Sequence, residues 1–222
     1  MNQPKPPMRD RILAAAAAVM RERGVTNTTT KEVARVAGVA EGSIYNHFAN
    51  KTELIAASMA QVTSGMREAL NTLFGQVGQG SVEDNLAAYA EVAIGFFGDL
   101  LPITGPAMGD RDVLAWLRQG GPHQGDGGSP GPPSGPAPGP VLGPVLGHAG
   151  LIGYFEAEQR AGRLPATASP PYLAAVLLGA CQQYAFLTLF TQPEVIVAVA
   201  RLPADPGDYA RDVVRLVLGA AR

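Results

Sequence analysis

An all-α fold is what this sequence predicts: an N-terminal three-helix, helix-turn-helix domain followed by a larger helical domain. Three observations carry that expectation. Apolar residues recur at helical spacing through most of the chain, and no strand alternation or internal repeat rises above background. The stretch Thr29–Lys51 holds two short helical runs with a glycine turn between them. The chain has 222 residues, 46% of them hydrophobic, enough for one large domain or two small ones with a substantial core.

The first seven residues contain three prolines and read as a loose arm. From Met8 the pattern is helical, with Ile12, Leu13, Ala16, Ala17 and Met20 on one face. A run of alanines supplies helix propensity, and Gly24 ends the helix. The next run starts at Thr29, whose hydroxyl suits an N-cap, with Glu32 placed to complete a capping box. Val33, Ala34 and Ala37 give it an apolar face about two turns long, Gly38 can take positive φ and stop it, and Val39 plugs the turn. A second run over 41–48 buries Ile44 and Phe48 at i and i+4. Gly42, Ser43, Tyr45, Asn46 and His47 are left outward. A face of hydroxyl, amide, imidazole and phenol is wrong for a core and right for a groove. Two short helices with a glycine turn form the arrangement whose second helix lies in a DNA major groove.

Asn50 and Glu53 make a second capping box, and Leu54, Ile55, Met59, Val62 and Met66 continue a helical stripe to about Phe74. A helix of that length leaves the first domain and enters the second. The domain boundary is placed at 56, giving domains 1–56 and 57–222. A glycine-rich loop over 75–81 precedes a helix from Val82 to about Leu101, closed by Pro102. A short amphipathic helix is expected over 110–118. Residues 119–143 hold nine glycines and seven prolines in 25 positions, a composition that predicts a disordered loop. Its PxxP-like spacing also fits an SH3-type ligand, though filler is the plainer reading. Helical pattern resumes near Val145 and runs to Arg160. The segment 170–190 is apolar on nearly every side, as for a helix packed inward and against another subunit. A last helix, about 206–221, carries Tyr209, Val213, Leu216, Val217 and Ala220 on one face.

Charge is uneven. Residues 1–60 carry eight basic and five acidic side chains, a balance of +3, against −5 for the remainder and −2 for the whole chain. That asymmetry suits a nucleic-acid module joined to an acidic partner domain. A single cysteine, Cys181, excludes an internal disulfide and suits a reducing cytosol. Two apolar runs, 12–20 and 173–190, read as core helices. Charged residues and no cleavage site follow the first, and Gln182 and Gln183 interrupt the second. No phosphate-binding loop, nucleophile elbow or metal-ligand spacing is present, so no enzyme activity, cofactor or metal is expected.

The order Val33-Ala34, Ala37-Gly38-Val39, Gly42-Ser43-Ile44-Tyr45, His47-Phe48, Lys51 and Glu53-Leu54 resembles the DNA-binding signature of tetracycline-repressor-type (TetR-type) transcriptional regulators. The resemblance runs without a gap from Arg9 to Ile55 and thins to a general helical likeness beyond. The segment 156–165 resembles what such proteins carry at the end of that helix. Ala40 departs from it, standing where the family usually has a serine or similar cap; Glu41 partly compensates with negative charge near the helix N-terminus.

The resemblance implies that Tyr45 and Lys51 bind phosphates at the groove edge, and Thr29 and Thr30 suit the same task with backbone amides. Gly42 and Ser43 are small enough to let the backbone approach, with attraction from the helix dipole. Glu41, Ser43, Asn46 and His47 are the candidate base readers: glutamate accepts from cytosine N4 and asparagine pairs adenine. Tyr45 as a core aromatic and His47 as an ordinary surface histidine are the alternatives. In the second domain the resemblance implies a ligand cavity and a dimer through 170–190 and 206–221. Tyr89, Phe96, Phe97, Trp116, Tyr154, Phe155, Gln183 and Tyr184 are candidate lining groups, each with core or interface packing as the alternative. The expectation is a cytoplasmic, homodimeric repressor of a palindromic double-stranded DNA operator, released by a small-molecule effector. The alternative is a helical small-molecule or lipid carrier without DNA function.

Overall fold

The computed structural model describes residues 6–108 and 142–220. Among these no strand occurs, and eight principal helices follow in order. They are α1 (Met8–Arg23), α2 (Thr30–Ala37), α3 (Glu41–Tyr45), α4 (Lys51–Gly75), α5 (Val82–Met108), α6 (Leu142–Arg160), α7 (Pro170–Phe190) and α8 (Pro206–Ala220). Pro193–Val195 and the π-helical turn Ile196–Ala200 connect α7 to α8, and Arg201 ends that turn at φ 57°. The expected helix over 110–118, and the loop as far as residue 141, lie outside the described residues.

The chain divides into two compact units, Met1–Val62 with Leu100–Gly143 and Thr63–Asp99 with Pro144–Arg222. Position 56, taken from the sequence as a boundary, falls inside α4. Both α4 and α5 contribute residues to each unit, because neither helix breaks where the units part.

In the first unit, α1 gives Ile12, Leu13, Ala15, Ala16 and Val19 to a core completed by Val33, Ala34, Ala37, Ile44, Phe48 and Leu54. The alanines of α1 are therefore packing residues as well as helix formers. Each large side chain here contributes roughly 1.5–3 kcal/mol on burial. A second cluster joins Ala17 and Met20 to Ile103, with Val25, Ile55, Met59 and Val62 against it. Ile103 lies beyond the expected end of α5. Pro102 removes one amide and frees the Gly98 carbonyl, but α5 runs on to Met108. Full burial of Ile103 outweighs the lost hydrogen bond, and the Thr104 hydroxyl donates to the Leu100 carbonyl at 2.9 Å.

In the second unit, Tyr184 and Tyr209 stack at 4.2 Å between α7 and α8. The Tyr184 hydroxyl lies within donating distance of the Pro203 and Ala204 carbonyls, and that of Tyr209 donates to Ala180. Gly150 of α6 is where α4 comes close: a Cβ there would collide with Leu70 Cδ2. The segment that resembled a family feature at the end of α6 forms a polar knot. Glu158 is fully buried and ion-paired with Arg163 at 3.3 Å, and Arg163 donates to the Gln79 and Gly80 carbonyls.

Helix α6 opens at Leu142, so the last two positions of the expected 119–143 loop are helical. The stripe expected on the last helix is also partly spent within the subunit. Val213 and Val217 are buried, and Leu216 is 73% exposed. Helices over Val82–Gly105 and Pro170–Phe190 are long and apolar enough to cross a membrane by length and composition alone, as core helices also are.

Candidate nucleic-acid interface

The α2–turn–α3 unit is shaped by local chemistry. Thr29 Oγ1 accepts from the Glu32 amide at 3.2 Å, the cap expected from sequence. The Glu32 carboxylate does not complete the box. It is engaged by Arg35 at 2.7 Å and Arg23 at 3.0 Å, and the Arg35 hydrogen bond holds its carboxyl below the ordinary range. Gly38 sits at φ 66°, ψ 44°, the left-handed stop for α2, and the Val39 amide returns to the Ala34 carbonyl at 3.0 Å.

Sequence reading missed the residue that holds this turn. Arg11, from the half-buried side of α1, donates to the Ala37 carbonyl at 2.5 Å and lies 3.5 Å from that of Gly38. It satisfies carbonyls that the end of α2 leaves without amide partners. A basic residue one position before the Ile12-Leu13 pair was the available signal. Arg9 adds a second anchor, its guanidinium 5.3 Å from the Phe48 ring centre.

The second run is shorter than expected, Glu41–Tyr45 and not 41–48. The Ile44 carbonyl accepts from both the His47 and Phe48 amides, at 2.9 and 3.0 Å, which tightens the chain into a turn. Asn46 and His47 therefore follow the helix. With five residues and Ala40 as an N-cap that offers no side-chain acceptor, α3 has little macrodipole to attract phosphate.

The expected contact residues share the surface of this unit. Thr29, Glu41, Gly42, Tyr45, Asn46, His47 and Lys51 are exposed, and Thr30 and Ser43 are half-buried. Ile44 and Phe48 point inward. Tyr45 is 51% exposed, so its ring is no part of the core. No packing demands glycine at 42, where an added Cβ would meet nothing within 4 Å. Thr30 Oγ1 donates to Glu41 Oε1 at 2.6 Å and lies 3.4 Å from the Tyr45 hydroxyl, joining three of the predicted residues across the two helices. Lys51 is the first residue of α4, whose start is fixed by Asn50 Oδ1 on the Glu53 amide and by the Glu53 carboxylate on the Ala49 amide. The second capping box thus reaches back one residue further than the sequence suggested.

The residues proposed for a cavity differ in exposure. Tyr89, Tyr154, Phe155 and Tyr184 are buried, Phe96 and Phe97 are half-buried with rings 5.3 Å apart, and Gln183 is exposed. Trp116 lies outside the described residues. The Tyr89 hydroxyl is buried without a hydrogen-bond partner among the described residues, and burial raises its pKa well above the ordinary phenol value. Burial likewise pushes the Cys181 thiol up to about 12. A groove of about 680 Å³ lies elsewhere in the second unit, with Tyr172, Leu173 and Val176 on α7 and Val213, Leu216 and Val217 on α8 among its walls. None of the seven candidates among the described residues lines it.

Comparison with known proteins places this geometry. Residues 12–58 match the family described as bacterial regulatory proteins, tetR family. The HTH-type transcriptional regulator BetI of Escherichia coli is 32% identical over 83 residues, 37% of this chain and 43% of that protein. The match therefore spans less than half the length of these relatives. Over the whole length the likeness is of fold. A TetR-family protein from Mesorhizobium loti superposes with a TM-score of 0.63 at 19% identity, covering 96% of each chain. The fatty acid degradation regulator FadR of Bacillus halodurans gives 0.61 at 16% identity over 99% of each. Residues 12–58 thus match that family's domain, and over the rest of its length the chain is similar to these all-helical structures in fold.

Proposed function

We propose that the chain is a dimeric repressor that binds a palindromic DNA operator through α2 and α3 and is released by a small-molecule effector held in its second unit. One observation carries the reading: a helix-turn-helix whose exposed face is mainly polar, with Val33, Ala34, Ala37, Ile44 and Phe48 turned inward and Val36 the large apolar exception on its surface. Thr29, Thr30, Tyr45 and Lys51 are proposed to hold phosphates, which fixes register without reading sequence. Glu41, Ser43, Asn46 and His47 are proposed to face base edges, with Gly42 permitting close approach.

A single unit of this kind reads only a few base pairs, so useful affinity calls for two half-sites bound together. The surface of the second unit supports a two-fold pairing. Tyr172, Val176, Phe186 and Phe190 fall at i, i+4, i+14 and i+18 on α7 and are exposed, Tyr172 by 75% and Phe190 by 72%. With Leu216 of α8 they form an apolar face that a second copy of the chain would cover isologously. The larger share of that face belongs to α7.

Support for an effector site is the buried Tyr89 hydroxyl, which has no hydrogen-bond partner among the described residues and which a ligand could satisfy. Release would follow if the effector favours an arrangement in which the two α3 helices no longer match successive major grooves about 34 Å apart. Helices α4 and α5, which belong to both units, are the covalent route for that coupling. The protein acts as a regulator and not an enzyme, and its proposed location is the cytoplasm. The test is a titration of the chain against duplex DNA from upstream of its own gene over a range of salt. Tight binding that weakens steeply with salt is expected. Absence of binding at low salt would refute the reading.

A further inference from the structure

We propose that Glu41 guards the docking face against DNA of arbitrary sequence, raising specificity by repelling phosphate where no base donor compensates it. The inference rests on the DNA-binding reading above and concerns how that interface discriminates.

The acidic residues of this surface differ in their partners. Glu32 is neutralised by Arg35 and Arg23, and Glu53 is spent on the start of α4. Glu41 is instead held by a neutral hydroxyl, that of Thr30 at 2.6 Å. No cation among the described residues is shown paired with it, so its negative charge stays on the exposed face. It stands beside groups proposed to hold phosphate, the Thr30 backbone amide and the Tyr45 hydroxyl, since Thr30 Oγ1 is also 3.4 Å from the Tyr45 hydroxyl. Any duplex seated on Thr30 and Tyr45 brings its phosphates beside this carboxylate. The Thr30 hydrogen bond also restricts the rotamers through which Glu41 could swing away.

Two consequences follow. A phosphate about 6 Å from a carboxylate in water-like surroundings weakens binding by roughly threefold, less where salt screens it. On DNA of arbitrary sequence nothing offsets that loss. At a cognate site a cytosine N4 amine can donate to the second carboxylate oxygen, and the loss is recovered. Specificity is a difference of affinities, so a penalty confined to the wrong sequences widens it. The same carboxylate thus serves as a base reader at one site and a repellent at all others.

The test uses the full chain and Glu41→Gln, which keeps an oxygen for Thr30 and removes the charge. Fluorescence anisotropy gives Kd for a duplex of arbitrary sequence and for the best duplex recovered from a randomised-site selection with the unaltered chain. The arbitrary duplex should bind about threefold tighter with a steeper salt slope, and the selected duplex should gain less or lose affinity. Glu41→Ala should behave like Glu41→Gln, because charge and not side-chain bulk is the cause. Equal factors on both duplexes, unchanged binding to the arbitrary one, or an effect of Glu41→Ala alone would overturn the proposal. Failure of the unaltered chain to bind any duplex in a salt-dependent way would remove the DNA-binding reading itself.

Discussion

Replacing Arg11 with methionine keeps the unbranched stem against α1 and deletes the guanidinium that grips the end of α2. The structure allows the loss to be sized. One charge-assisted hydrogen bond reaches the Ala37 carbonyl at 2.5 Å, while the Gly38 contact at 3.5 Å adds little. Bonds from a charged donor contribute roughly 1.5–3 kcal/mol, and half-exposure of Arg11 puts the expected loss near the lower end, about 1–2 kcal/mol. For a chain of this size that corresponds to a fall in Tm of about 2–8 °C. The turn held by Arg11 sets the angle of α3, so DNA affinity should fall roughly tenfold. The slope of log Kd against log salt should stay the same, because Arg11 touches protein and not phosphate. Thermal melting with anisotropy at several salt concentrations measures both effects. An unchanged Tm, or a slope reduced by about one per subunit, would show that Arg11 does not act through the α2 turn.

Further expectations follow from other parts of the fold. Lys51→Ala should weaken binding to every duplex alike and flatten the salt slope by about one per subunit, whereas Asn46→Ala should change the sequence recovered by randomised-site selection. Val176→Glu places like charges on the exposed apolar face of α7; sedimentation should then report monomer and operator binding should collapse, while the N-terminal unit stays folded. Cys181, its thiol pushed up to about 12 by burial, should stay unreactive towards thiol reagents from pH 7 to 9 in the folded chain. Unfolding returns it to the ordinary value near 8.5 and should make it reactive in that same pH window. Exchanging residues 119–141 for a short Gly/Ser linker should leave Tm and DNA affinity nearly unchanged, since closure entropy grows only logarithmically with loop length.

Much of the first unit was legible in the sequence because its signals are local. The Thr29 cap, the Gly38 stop and the Ile44–Phe48 pair each depend on residues three or four apart, and all three stand as read. What escaped depends on partners distant in sequence. Arg11 meets Ala37 across 26 residues, and Ile103 completes a cluster built mainly by α1 and α4. Pro102 gave a clear local stop signal that burial of its neighbour Ile103 overrode. The end of α3 was misjudged because Phe48 keeps helical spacing from Ile44 even though the intervening backbone has already turned. In the second unit, periodicity separated inward from outward faces only coarsely. It could not distinguish Val213 and Val217, buried within the subunit, from Leu216 between them, which is exposed. The aromatic residues nominated for a cavity were chosen by type, and type alone does not tell a packed tyrosine such as Tyr184 from a ligand contact.

The central claim, that this is a two-fold reader of DNA built on α2 and α3, is met most directly by randomised-site selection with the full-length chain at moderate salt. The account predicts enrichment of an inverted repeat whose half-sites are centred about one helical turn apart, with the repeat lost when Val176→Glu is used in place of the unaltered chain. Recovery of no enriched sequence, or of a single unrepeated half-site bound equally well by Val176→Glu, would contradict it.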